Sequence, residues 1–128
     1  MIYARSLDDL RLSAAWVTVG MFDGLHLGHQ AVIGSMVQQA HAAGSPAVVV
    51  TFHPSPAAVL GKVADLRYLT LLEERAMLLS RLGVDYVVGL EFTPQMALLS
   101  AEEFIQKMVE RLGMKRLWAG QDFALGRN

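Results

Sequence analysis

The sequence predicts a single α/β domain built on a doubly wound parallel sheet. Three observations lead there. Short β-branched runs alternate with stretches of helical periodicity, in the order strand, helix, strand, helix, strand, helix, strand. The run Ala47–Phe52 (AVVVTF) lacks polar alternation, as expected of a strand covered on both faces. The connecting segments carry cap and stop residues at helix ends, and right-handed crossovers then make one layered sandwich the natural assembly.

The first strand is expected at Trp16–Met21, followed by a glycine-rich turn and a helix from about His29 to Ala43. Val32, Ile33, Met36, Val37 and Ala40 recur at helical spacing and define its apolar face. Gly44 suits the left-handed position that ends such a helix. After the strand Ala47–Phe52, Thr70 and Glu73 have capping-box spacing and open a helix running to Leu82, with Gly83 as its stop. Val84–Leu90 is the next strand. Ser100 and Glu103 repeat the capping signature, and Phe104, Ile105, Met108, Val109 and Leu112 form that helix's buried face before Gly113. Lys115–Gly120 follows as a strand, and Ile2–Arg5 is a candidate edge strand. Between Phe52 and Thr70 runs a long connection containing Pro54, Pro56 and Gly61. Loops of that length in a compact domain are commonly functional, and this one leaves the carboxyl end of a strand, where open α/β sheets place ligands.

Composition narrows the function classes. The 128 residues suffice for one core, and 53% hydrophobic against 18% charged residues excludes intrinsic disorder. Eleven Lys+Arg against twelve Asp+Glu give a net charge of −1, which offers no electrostatic footprint for nucleic acid or an anionic membrane. Any phosphate must therefore be gripped by a local device. The absence of cysteine excludes disulfides, thiol catalysis and Cys-ligated zinc. The charged N-terminus MIYARSLDDL does not read as a signal peptide and no run reaches membrane-spanning length, so the expectation is a soluble cytoplasmic protein.

The local device is expected in Gly20-Met21-Phe22-Asp23-Gly24-Leu25-His26-Leu27-Gly28-His29. Glycines at 20, 24 and 28 permit sharp turns and close approach of a ligand to the backbone. The segment joins a strand end to the first turn of a helix, where N–H groups and the helix dipole favour an anion such as a polyphosphate. His26 and His29 stand three apart, so both imidazoles can face one phosphate and stabilise charge on its oxygens in a transition state. Taken alone, an HxxH pair more often caps a helix or lies on its surface, and a metal pair is a further option, although no third ligand type is obvious nearby. The glycines, the apolar strand before them and the amphipathic helix after them favour the phosphate reading. Trp16, Trp118 and the helically spaced methionines read as packing, and His41 and His53 as ordinary surface histidines.

Gly20-x-Phe22-Asp23-Gly24-x-His26-x-Gly28-His29-Gln30 resembles the signature of the adenylyltransferase half of the prokaryotic bifunctional riboflavin kinase/FAD synthetases, within the HxGH nucleotidyltransferase superfamily and its Rossmann-like fold. Thr51-Phe52-His53-Pro54-Ser55-Pro56 resembles that family's TFxPxP segment. Leu69-Thr70-Leu71-Leu72-Glu73-Glu74-Arg75 resembles its LTxxxER helix start, and Gly120-Gln121-Asp122-Phe123-Ala124-Leu125-Gly126 its GxDFxFG loop. HxGH alone marks the superfamily; the combination points to the flavin branch. The resemblance implies transfer of AMP from ATP to FMN, giving FAD and pyrophosphate, with Mg²⁺ accompanying ATP. It implies that His26 and His29 bind the ATP phosphates, and that Gly20, Phe22, Asp23, Gly24 and Gly28 shape the nucleotide loop. Phe52, Pro54, Pro56, Asp122 and Phe123 would border the flavin, while no residue is singled out as a metal ligand. Asp23 reads equally as a turn carboxylate, and Asp122 equally as a plain loop aspartate.

Leu125 departs from the family's usual Phe. The family also continues to a Ser- and Arg-containing segment and a riboflavin kinase domain, whereas this sequence ends at Arg127-Asn128, so the expectation is a domain spanning 1–128 and incomplete at its C-terminus. Three rival readings accompany the first. One keeps the chemistry with another acceptor, such as pantetheine phosphate, nicotinate mononucleotide or glycerol phosphate. The second is a non-catalytic nucleotide- or flavin-binding module, and the third a soluble α/β domain with no phosphate site.

Overall fold

Strand β3 (Ala47–Phe52) lies at the centre of a five-stranded, all-parallel sheet of order β1-β4-β3-β2-β5. The other strands are β1 (Ile2–Ala4), β2 (Trp16–Val19), β4 (Tyr86–Leu90) and β5 (Arg116–Trp118). The helices are α1 (Leu27–Ala42), α2 (Leu72–Arg81), the short α3 (Pro94–Ala97) and α4 (Ala101–Leu112). This computed structural model describes residues 1–20, 22, 27–52, 72–91 and 93–118.

Alternation along the strands explains the two layers of core. Successive side chains of a strand point to opposite faces. Val17, Val19, Val48, Val50, Val88 and Leu90 join Phe104, Met108 and Leu112 of α4 on one face. Ala47, Val49 and Val87 join Ile33, Met36, Val37 and Ala40 of α1 and Leu79 of α2 on the other. Val48, Val49 and Val50 are all 0% exposed, as the unbroken apolar run AVVVTF requires of a central strand.

The helix ends are fixed by the predicted punctuation. Gly44 has φ +73°, its N–H bonds the His41 carbonyl, and the Ser45 N–H reaches back to Ala40, which is a Schellman closure. Gly83, with φ +92°, closes α2 in the same way through Ser80 and through Val84 to Leu79. Both halves of the Ser100–Glu103 capping box form at α4, and Gly113 ends that helix with φ +58° and a single bond to Val109. Thr70 lies outside the described residues.

Several expectations are refined. α1 begins two residues earlier than about His29 and ends at Ala42. β4 begins at Tyr86 rather than Val84, because the Val84 N–H is used in closing α2. β2 ends at Val19, although Gly20 still donates to Val50. Val32 and Val109 are each 42% exposed, so they border the buried stripes of α1 and α4 rather than filling them. The short helix α3 and a 3-10 turn at Leu7–Asp9 add to the predicted elements. Their signals were Thr93-Pro94, where Thr93 caps and proline occupies the first turn, and Ser6, whose hydroxyl accepts from the Asp8 N–H.

Candidate functional site

Topology decides which loops can meet. From β2 the chain steps through α1 to β3 and through α2 to β4, then crosses the sheet to place β5 on the far side of β2. The direction of winding reverses between β2 and β5, and open α/β sheets bind ligands outside the carboxyl ends of strands at such a reversal. The glycine-rich segment leaves β2, the Pro54–Pro56 segment leaves β3, and the Asp122–Phe123 segment follows β5. Three of the segments singled out in the sequence thus depart from the same end of three neighbouring strands, β3-β2-β5. A hydrogen bond of 2.8 Å from the Thr18 hydroxyl to the Trp118 carbonyl ties β2 to β5. The rings of Trp16 and Trp118 lie 6.4 Å apart at that seam, in keeping with packing roles.

Within this end, Gly20, Phe22, Gly28, His29 and Phe52 are described; His26, Asp23, Gly24, His53, Pro54, Pro56, Asp122, Phe123 and Arg127 lie outside the described residues. His29 sits in the first turn of α1, where a helix presents N–H groups beyond its own ladder and the positive end of its dipole. Its imidazole meets the ring of Phe22 at right angles (89°), with centroids 5.3 Å apart.

Phe22 has φ +53°, a left-handed conformation that costs a non-glycine residue about 1–3 kcal/mol. Its ring is only 9% exposed and belongs to the core cluster of Ile33, Met36 and Val49. Burial of a phenyl ring is worth about 1.5–3 kcal/mol, comparable to the strain it offsets. A nucleotide contact at this position would therefore fall to the Phe22 backbone. Gly20 is required by that ring, since a Cβ there would lie 2.9 Å from the Phe22 Cζ. At Gly28, by contrast, no described atom lies within 4 Å of where a Cβ would stand.

Phe52 is half-buried at the end of β3, its ring 6.0 Å from that of Phe104 on α4. It is thus partly a core residue as well as a candidate wall. Beside it lies a residue that the sequence reading quoted only as part of a motif. Arg75, on α2, is 0% exposed; its Nη1 donates to the Thr51 hydroxyl at 2.9 Å and to the Phe52 carbonyl at 3.5 Å. A buried guanidinium is tolerated only when hydrogen-bonded. The available signal was an arginine in register with the apolar stripe, four residues before the fully buried Leu79.

The surface histidine His41 stands at the opposite pole. Its Nε2 pairs with an Asp85 carboxylate oxygen at 2.7 Å, and that same oxygen accepts the Ala47 N–H at 2.8 Å. They border a shallow hollow of about 500 Å³ at the amino ends of the strands, away from the segments above. Among the described residues, no group of three or more His, Asp or Glu side chains could hold a metal ion, and no helix is long and apolar enough to cross a membrane.

The described residues define an open, all-parallel α/β domain in which β3, β2 and β5 lie side by side, β2 ends at Val19 and α1 begins at Leu27. Compared with known families, residues 9–128 match FAD synthetase, and the chain belongs to that family. Over 112 residues it is 38% identical to the bifunctional riboflavin kinase/FMN adenylyltransferase of Listeria monocytogenes, a match covering 87% of this chain and 36% of the relative. The protein of the same name from Bacillus subtilis is likewise 38% identical over 112 residues, covering 87% and 35%. The chain spans about a third of the length of these curated relatives. Among solved structures, the crystal structure of a macrolide-efflux protein from Streptococcus pneumoniae is similar with a TM-score of 0.82 and 30% identity, covering 98% of this chain and 43% of that one.

Proposed function

We propose that this domain transfers AMP from ATP to FMN, forming FAD and pyrophosphate. The observation that supports the proposal is that β3, β2 and β5, the strands whose carboxyl ends the three signature segments follow in the chain, are parallel neighbours in the sheet. A phosphate oxygen of FMN attacks the α-phosphorus of ATP, and the bond from that phosphorus to the bridging β-phosphate oxygen breaks to release pyrophosphate. His26 and His29 donate hydrogen bonds to the phosphoryl oxygens as charge builds there. Gly20, Phe22, Asp23, Gly24 and Gly28 form the nucleotide loop, with Phe22 serving through its backbone. Phe52, Pro54, Pro56, Asp122 and Phe123 border the flavin. Mg²⁺ accompanying ATP would offset charge on its phosphates. By the names of the relatives, the working partner is a riboflavin kinase domain, which would supply FMN.

The test is incubation with ATP, Mg²⁺ and one acceptor at a time, following pyrophosphate and FAD. FMN is expected to support release and pantetheine phosphate is not; release with pantetheine phosphate and none with FMN would overturn the assignment of acceptor. Binding of ATP and FMN with no FAD formed at any enzyme concentration would make the domain a binding module. His26→Ala and His29→Ala are each expected to lower kcat by about 10²-fold or more, as lost transition-state donors do. Undiminished turnover in both would remove the imidazoles from the mechanism.

A further inference from the structure

We infer that Phe22 is a positioning residue, which acts on the reaction by fixing the imidazole of His29 rather than by touching nucleotide. The inference rests on the role proposed above for His29. Three observations converge on it. The Phe22 ring is buried among α1 and sheet residues, so it is immobile on the scale of the site. It stands perpendicular to His29 at 5.3 Å, the edge-to-face arrangement that aromatic pairs favour. Finally, its backbone is held in the left-handed region at φ +53°, which a non-glycine residue adopts only where its surroundings dictate it.

Phe22 thus drives an aromatic ring back into the core, where it limits how far the His29 ring can rotate. Gly20 completes the device, because any side chain there would collide with the Phe22 ring at 2.9 Å and shift it. A donor confined in this way loses little freedom when the transition state forms, and misplacement of about 1 Å costs rate rather than affinity.

The experiment uses the full 128-residue chain. Phe22→Leu keeps an apolar side chain of useful volume but removes the ring. Its histidine resonances are compared with wild type by NMR, with His29 identified from the H29A spectrum and His41, at the far pole, as internal control. The expected result is a shift of the His29 signal as the ring current disappears, with His41 unmoved. In FAD formation, F22L is expected to lower kcat by about tenfold with KM for ATP and FMN changed less than about twofold, and to cost nothing further when combined with H29A. An equal loss of kcat on the H29A background, or an unmoved His29 resonance in folded F22L, overturns the inference. Should F22L fail to fold, Gly20→Ala displaces the ring without deleting it, and the same signal and double-mutant comparison decide. If wild-type protein makes no FAD, it is the proposed function that fails, and the resonance arm alone then decides whether Phe22 fixes His29.

Discussion

Gly28 and Gly20 show how two glycines in one signature do different work. A glycine inside a helix costs about 0.5–1 kcal/mol relative to alanine, so Gly28 in the first turn of α1 has to be explained. Packing does not explain it, since no described atom lies within 4 Å of the missing Cβ. Under the function proposed above, close approach of a phosphate accounts for it. Gly28→Ala is accordingly expected to leave stability unchanged or raise it by up to about 1 kcal/mol in urea unfolding, while weakening ATP binding by tenfold or more in calorimetry. A stabilised variant that binds ATP as wild type does would show that position 28 faces nothing. At Gly20 the requirement is internal, imposed by the Phe22 ring. Composition and spacing marked both positions as places of close approach, but could not tell a ligand from a neighbouring ring. That distinction depends on where a side chain two residues away turns. Arg75's partners were illegible for a related reason: its register with the apolar stripe hints at burial, but an arginine in a helix is ordinarily read as a solvated cation, and only the fold carries it to Thr51 and Phe52.

At the scale of elements, the sequence signals that held best were those with a local physical cause. Gly44, Gly83 and Gly113 all adopt positive φ where helix stops were expected, because the left-handed closing residue is chosen by backbone sterics alone. The boundaries that moved depend on which carbonyl an amide finds, as at Val84. Gly113 is also tightly constrained by its neighbours. A Cβ there would lie 2.7 Å from the Ser13 Cα and 2.8 Å from the Leu12 carbonyl oxygen. The segment before β2 runs directly over the end of α4, with Leu12 donating to Arg111 and Lys115 donating to Ala15. Gly113→Ala therefore combines positive-φ strain with a backbone clash, and is expected to cost about 2 kcal/mol or more in denaturant unfolding. Ser100→Ala, which removes one half of an exposed capping box, is expected to cost only about 1 kcal/mol. Equal losses from the two would mean that the Leu12–Ala14 segment yields to the new methyl group.

For the whole molecule, the order of elements sets which pole the proposed chemistry would occupy. Alternating strands and helices with short connections imply a parallel sheet, and a parallel sheet has all its carboxyl ends on one side. What the alternation could not provide was the strand order, which sets β5 beside β2, the strands that the last and first signature segments follow in the chain. The amino pole holds a shallow hollow of about 500 Å³ and a histidine–aspartate pair, features that would invite a functional reading if geometry were considered without topology. They have a structural account. Asp85 fastens β4 to the start of β3 through the Ala47 N–H, and His41, its side chain 46% exposed, adds a solvent-screened pair to a carboxylate already engaged. Exposed pairs of this kind contribute about 0–1 kcal/mol. His41→Ala is thus expected to lower stability by no more than that in urea unfolding, and to leave FAD formation within about twofold of wild type. Should H41A remain folded and yet lose most of its turnover, the two ends of the sheet would be coupled, and the assignment of all chemistry to the loops after β3, β2 and β5 would have to be abandoned.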